Sequence, residues 1–217
     1  WLSTLGGEID YLIPLMLLNY INIESKGDLT ILKMLTDLSS ENFLSKLDDW
    51  TRIEDFPVVN AGKVYRVVSI QDMWLFLGDK IKRKDIENLQ KVIMLIFSET
   101  IPKYDLPKEQ RYMANIIDKK DRYSKQLIEG LIISLIFLKE RDSKFLETSI
   151  GSTDAFVTVL VRDVINNVMT EKQWLSIAEF FPLITEASPE TIIDRMKKEM
   201  NNSESEFWEL FKVGGSN

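Results

Sequence analysis

The chain has 217 residues, 45% hydrophobic and 28% charged, with a net charge of −7. That is globular composition, enough for one large domain or two small ones, and it excludes disordered and fibrous classes. The absence of cysteine and histidine removes disulfides, thiolate nucleophiles, Cys- or His-built metal sites and imidazole acid–base relays, and it fits a reducing, cytoplasmic setting.

The chain opens WLSTLGGEID, with neither an initiator Met nor a basic leader ahead of the apolar run 11–18. A secretory signal needs a positive leader and a small-residue cleavage site. A membrane span needs about 20 apolar residues, and this run is broken by Pro14 and Asn19. The run therefore reads as a buried core helix, in a lead-in helical segment over 1–24. The missing Met suggests a piece of a longer protein.

Apolar residues then recur at helical spacing. Asp28 is placed to cap a helix over 28–38, and Ser39 or Ser40 one over 40–49 with Phe43, Leu44 and Leu47 on its inner face. The stretch FPVVNAGKVYRVV, residues 56–68, is different. Branched and aromatic residues flank the turn Asn60-Ala61-Gly62-Lys63, which predicts a two-stranded ribbon. Two strands alone are marginal in water, so the ribbon must lean on its helical neighbours. Ser69-Ile-Gln-Asp72 has the form of a capping box and starts a helix over 70–81. Residues 25–80 thus have the order of a winged helix, with the hairpin as its wing.

Past Lys80 the pattern is helical, over 84–99, 108–118, 124–140, 153–169, 171–186 and 189–200. The dividers are Ile101-Pro102, Leu106-Pro107, Thr148-Ser-Ile-Gly-Ser152 and Ser188-Pro189. The last two helices resemble a hairpin of an α-solenoid, although no fixed period is present. Phe207, Trp208, Leu210 and Phe211 make one more apolar face, and Gly214-Gly-Ser-Asn reads as a frayed end. The fold class expected is mainly α: a winged-helix-like unit with one short hairpin, followed by an α-helical array over 81–217.

Few residues are candidates for function. Wing contacts fall to Asn60, Gly62, Lys63 and Arg66. DNA is disfavoured as a partner, because the second helix, SSENFLSKLDDW, sets Glu41, Asp48 and Asp49 against Lys46, and residues 28–80 hold nine acids and six bases. Phosphate neutralisation supplies most non-specific affinity for nucleic acid, so a protein partner is expected instead.

The basic run Lys82-Arg83-Lys84 reads as a solvated helix end whose cations complement a C-terminal dipole. Weaker anion or partner contacts are assigned to Lys119 and Arg122, ahead of a helix that Ser124 is placed to cap. The pairs Asp48-Asp49 and Glu54-Asp55 read as solvated surface. Trp50, Trp74, Trp174 and Trp208 read as core. Gly62-Lys63 lacks the preceding glycine and following hydroxyl of a P-loop. No cofactor is expected.

Tyr65-Arg66-Val67-Val68-Ser69 with Asp72-Met73-Trp74, then Leu106-Pro107-Lys108-Glu109-Gln110-Arg111, then Tyr123-Ser124 with Leu127-Ile128-Glu129-Gly130-Leu131, resemble a region of long bacterial proteins of the STAND class of P-loop NTPases. Those proteins place a winged helix after the nucleotide module and helical repeats after that, and several are antiphage sensors. The resemblance implies a non-catalytic interaction and relay segment packed between nucleotide module and sensor repeats, with no ATP hydrolysis of its own. It also departs from the family, some of whose members reach nucleotide through a winged-helix histidine that this chain lacks. The alternatives are a stand-alone acidic protein-binding regulator and, from the enzyme class, a carboxylate- or Mg²⁺-dependent phosphate enzyme.

Overall fold

The structure, a computed structural model, describes residues 1–36, 38–141 and 152–211. Chain order begins with α1 (Leu2–Leu5), a 3-10 turn over Gly6–Leu12, α2 (Ile13–Leu18) and a short strand, β1 (Tyr20–Asn22). Next come α3 (Lys26–Leu35), α4 (Ser40–Trp50), the hairpin β2 (Val58–Asn60) and β3 (Val64–Val67), and α5 (Ile70–Leu77). The rest is helical: α6 (Arg83–Ser98), α7 (Lys125–Glu140), α8 (Thr153–Asn166), α9 (Glu171–Ala178), α10 (Phe181–Ala187) and α11 (Pro189–Met200). The fold is mainly α with one small antiparallel sheet, as the patterning predicts.

The sheet has three strands rather than two. β1 pairs with β3 on the side away from β2, and the row Tyr20, Arg66, Val59 runs across the outer face. Ile21, Val58, Tyr65 and Val67 face inward and are buried. The third strand answers the marginality of a bare ribbon. It lies inside the segment expected to be lead-in helix, and at three residues it is too short to show strand alternation. Gly62, at φ 78, takes the turn's left-handed position, and the Ala61 amide closes on Val64 O at 2.8 Å.

Other boundaries differ for local reasons. α3 is capped by Ser25, whose Oγ accepts from the Asp28 amide at 3.1 Å, so Asp28 is the third residue of the helix and not its cap. The expected helix over 108–118 is a 3-10 segment, Lys108–Met113, and one further turn; Lys119 N returns to Ala114 O and Asp118 takes the left-handed position that ends it. The expected helix over 171–186 is two, because Pro182 cannot donate a backbone bond and starts α10 afresh. Ser124 and Ser188 make no side-chain cap. The 148–152 divider, except Ser152, and the 214–217 tail lie outside the described residues.

α2 is buried on every side, the condition that an all-apolar helix needs. It rests on α7, the other strongly apolar helix, where Gly130 and Ser134 form a notch one turn apart. Ser134 Oγ donates to Leu17 O at 2.8 Å, and Asn19, left-handed at the helix end, donates Nδ2 to Gly130 O at 3.0 Å. The last carbonyls of α2, which have no partner within the helix, are thus served by α7. A single cluster of buried side chains runs from Leu5 to Phe207. Among the described residues no helix is long and apolar enough to cross a membrane.

A Cβ on Gly130 would meet Leu18 O at 2.1 Å. Gly130→Ala should therefore lower stability by roughly 1–3 kcal/mol through overpacking, although alanine is the better helix former by ~1 kcal/mol. The urea-unfolding midpoint gives the sign.

Candidate functional site

The hairpin and α4 form one face. α4 buries Phe43, Leu47 and Trp50 and exposes Glu41, Asp48 and Asp49. Lys46, the helix's one cation, turns away from that face. It pairs with Glu8, whose other oxygen accepts from Trp50 Nε1 at 3.1 Å, and these two donors hold the Glu8 carboxyl below its usual range.

Asp48 accepts from Tyr65 OH and from Asn60 Nδ2, the latter at 3.1 Å, so the hairpin is hydrogen-bonded to the helix beside it. Burial first, then the neighbouring Asp48, pushes the Tyr65 phenol well above its usual value. Lys63 pairs with Glu24. Arg66 stands on the outer sheet face with no ion-pair partner among the described residues. Of the four expected wing contacts, Asn60 and Lys63 are thus engaged internally, Gly62 shapes the turn and Arg66 is left outward.

Lys82, Arg83 and Lys84 sit elsewhere, and not at the C-terminal helix end that was expected. α5 ends at Leu77, and these residues begin α6. There the macrodipole disfavours cations, and acids offset it: Asp85 accepts from the Lys82 amide at 2.7 Å, and Glu87 pairs with Arg83 at 2.8 Å.

A cavity of about 600 Å³ opens where the N-terminal unit meets the turn before α7. Its walls include Glu24, Lys26, Gly27, Lys120, Arg122 and Lys125. The N-termini of α3 and α7 converge beneath it on Asp28, which has no solvent exposure. That carboxylate accepts from Asn22 N at 3.1 Å, Ser25 Oγ at 2.8 Å and Ser124 N at 2.8 Å. It therefore joins Ser25, the cap of α3, to the Ser124 amide just ahead of α7, 96 residues from Asp28 in the chain.

Arg122 pairs with Glu99 at 2.5 Å and lies over the Tyr123 ring, while Lys119 reaches Asp105 at 3.6 Å. Asp105 takes its stronger bond from Lys172, at 2.8 Å, and this keeps its carboxyl below the ordinary range. Lys125 bonds Glu179, which raises its ammonium pKa. Of these two weaker candidates the structure brings Arg122 to the cavity and leaves Lys119 beside it.

Among the described residues no cluster of acids could hold a metal ion. Asp48-Asp49 and Glu54-Asp55 are exposed. Asp28 as a joint was missed in the sequence reading, yet Ser25-Lys-Gly-Asp28 carries the S-x-x-D signal of a helix start. Its bond to Ser124 had no local signal.

No family model matches the sequence, no curated protein matches it, and no solved structure matches the fold.

Two outcomes follow. Asp28→Ala strands the Asn22 and Ser124 amides and should cost on the order of 3 kcal/mol, with hydrogen exchange accelerated first at those amides. Tyr65 has its folded pKa raised, so its contribution is complete below about pH 10 and is lost as pH rises beyond it. Glu8 and Asp105, both depressed, act at neutral pH and lose their contribution as pH falls below about 4. Tyr65→Phe should flatten the alkaline limb of stability against pH and leave the acid limb in place.

Proposed function

We propose that this chain is a non-catalytic interaction and conformational-relay segment of a larger, cytoplasmic, bacterial STAND-like NTPase, placed between its nucleotide module and its sensor repeats. The observation that carries the reading is the order α2, β1, α3, α4, β2, β3, the order of a winged helix, running directly into a helical array. β1 supports it, because a strand between the first two helices completes that plan. The motifs that resemble the STAND region fall at structural joints: Asp72-Met73-Trp74 in α5, and Tyr123-Ser124 and Gly130 where α7 meets α2 and α3.

Charge turns this unit from DNA towards protein. The helix that would enter a groove exposes Glu41, Asp48 and Asp49, and its lysine is neutralised by Glu8. Phosphate contacts dominate non-specific affinity, and Arg66 with a paired Lys63 supplies little of that.

A relay must be stiff enough to pass a displacement on. Three contacts tie the N-terminal unit to the array without a gap: Gly130 on Leu18 O, Gly27 on Arg122 O, and Gly78 under Arg141. Arg141 also donates Nη1 to Trp74 O at 2.5 Å and pairs with Asp79, closing the C-terminal end of α5. A push on either half moves the other.

Two measurements test this. The purified chain should leave duplex DNA unretarded at about 0.15 M salt, and a retarded complex would refute the non-DNA reading. The gene should encode G-x-x-x-x-G-K-[ST] upstream in the same frame; an initiator Met immediately before Trp1 instead leaves a stand-alone acidic regulator and removes the relay.

A further inference from the structure

Residues 108–120 form a strap that is fixed on its inner side and sets three apolar side chains among polar ones on its outer side. Ala114 is buried, and Arg111 is held by Leu106 O at 3.2 Å, by the Tyr104 ring at 5.1 Å and by Glu171 at 3.8 Å. The bonds from Ile116 N and Ile117 N to Met113 O, and the left-handed stop at Asp118, set the turn that follows. What the strap shows to solvent is Tyr112 at 81% exposure, Ile116 at 82% and Ile117 at 45%. Scattered apolar residues on a surface need no explanation, but three within six positions of one ordered strap do.

The strap also forms a wall of the large cavity, through Asn115 and Lys120. Around that cavity stand Lys26, Lys120, Arg122 and Lys125, against Glu24 and Asp121. Lys26 has no ion-pair partner among the described residues, and Lys120 reaches only Asp118, at 4.0 Å. Because Asp28 already takes the helix N-termini beneath, the cavity's positive character comes from side chains. In a chain of net charge −7, the lining of this cavity has more cations than acids.

We infer that the strap and the adjoining cavity form a docking surface for an acidic amphipathic protein segment. Its apolar side chains would cover Tyr112, Ile116 and Ile117, and its carboxylates would meet Lys26 and Lys120. Charge complementarity selects this occupant. A basic segment would face the cations, and a continuous anionic membrane would meet Glu24, Glu109, Asp118 and Asp121 as well as the overall negative field. A peptide sets discrete carboxylates on discrete ammonium groups. The inference deepens the protein-binding part of the proposed function by naming the surface and the chemistry of the partner.

The test uses the purified chain and a fluorescent helical peptide with leucines on one face and glutamates on the other. A lysine–leucine peptide and phosphatidylserine vesicles serve as the other arms. Saturable binding of the acidic peptide, weakened by salt, is expected. Ile116→Asp and Tyr112→Ser should each weaken it about tenfold or more, and Lys120→Glu should weaken it with unchanged unfolding midpoint, since all three side chains are solvent-exposed. Absence of binding, binding indifferent to Ile116→Asp, or preference for the basic peptide or the vesicles overturns the inference. A P-loop upstream together with an inert strap would overturn the docking surface alone, whereas peptide binding by a chain with no such frame would overturn the relay alone.

Discussion

The carboxylate of Asp28 has no solvent exposure, and the organisation of the chain depends on where its hydrogen bonds go. A lone buried charge costs several kcal/mol. Here the edge amide of β1, the hydroxyl that caps α3 and the Ser124 amide just ahead of α7 donate to the carboxylate, and the two helix N-termini favour it. One side chain thus satisfies the sheet edge and two helix starts. The turn over 120–124 must lie against α3 for this to happen, and it can do so only because Gly27 leaves room for Arg122 O.

The same solution recurs along the seam. At Gly130 the end of α2 presses its carbonyls onto α7, and Ser134 and Asn19 complete the bonding. At Gly78 the guanidinium of Arg141 takes the place of a side chain and donates to the α5 carbonyl above it. In each case the absence of a Cβ brings backbone or cation close enough for a polar group on one half to satisfy a backbone group on the other. Such joints are short and directional, so they resist sliding more than an apolar contact of equal area. An interaction segment that carries displacement between modules requires that property.

Charge is sorted over this frame. The α4 and hairpin side is acidic, with two of its cations, Lys46 and Lys63, paired to Glu8 and Glu24. The cations round the cavity lie at the junction between the N-terminal unit and α7, beside apolar side chains that the core does not absorb. The field on the first side repels polyanions, and the proposed reading of a protein partner rests on that contrast.

Much of this was legible locally. The 3.6-residue spacing of Leu89, Val92, Ile93 and Ile96 gave α6, valines about a Gly62 turn gave the hairpin, and an apolar run too short for a bilayer gave α2, because each signal lies within one turn or one strand of itself. Three-residue β1 was not, since its pairing partner is more than 40 positions away in β3 and nothing inside Tyr20–Asn22 requires a strand. The strap over 108–120 has helical spacing yet is 3-10 over Lys108–Met113 and turn after it, because its inner side is fixed by Arg111 and Ala114 and its outer apolar residues find no helix to cover them. Composition and periodicity thus determined fold class and the chemistries that are absent. The joints at Asp28, Gly130 and Arg141 were decided only by tertiary structure, because a hydrogen bond between residues 60 or more apart is specified by where two chain segments meet and not by either segment alone.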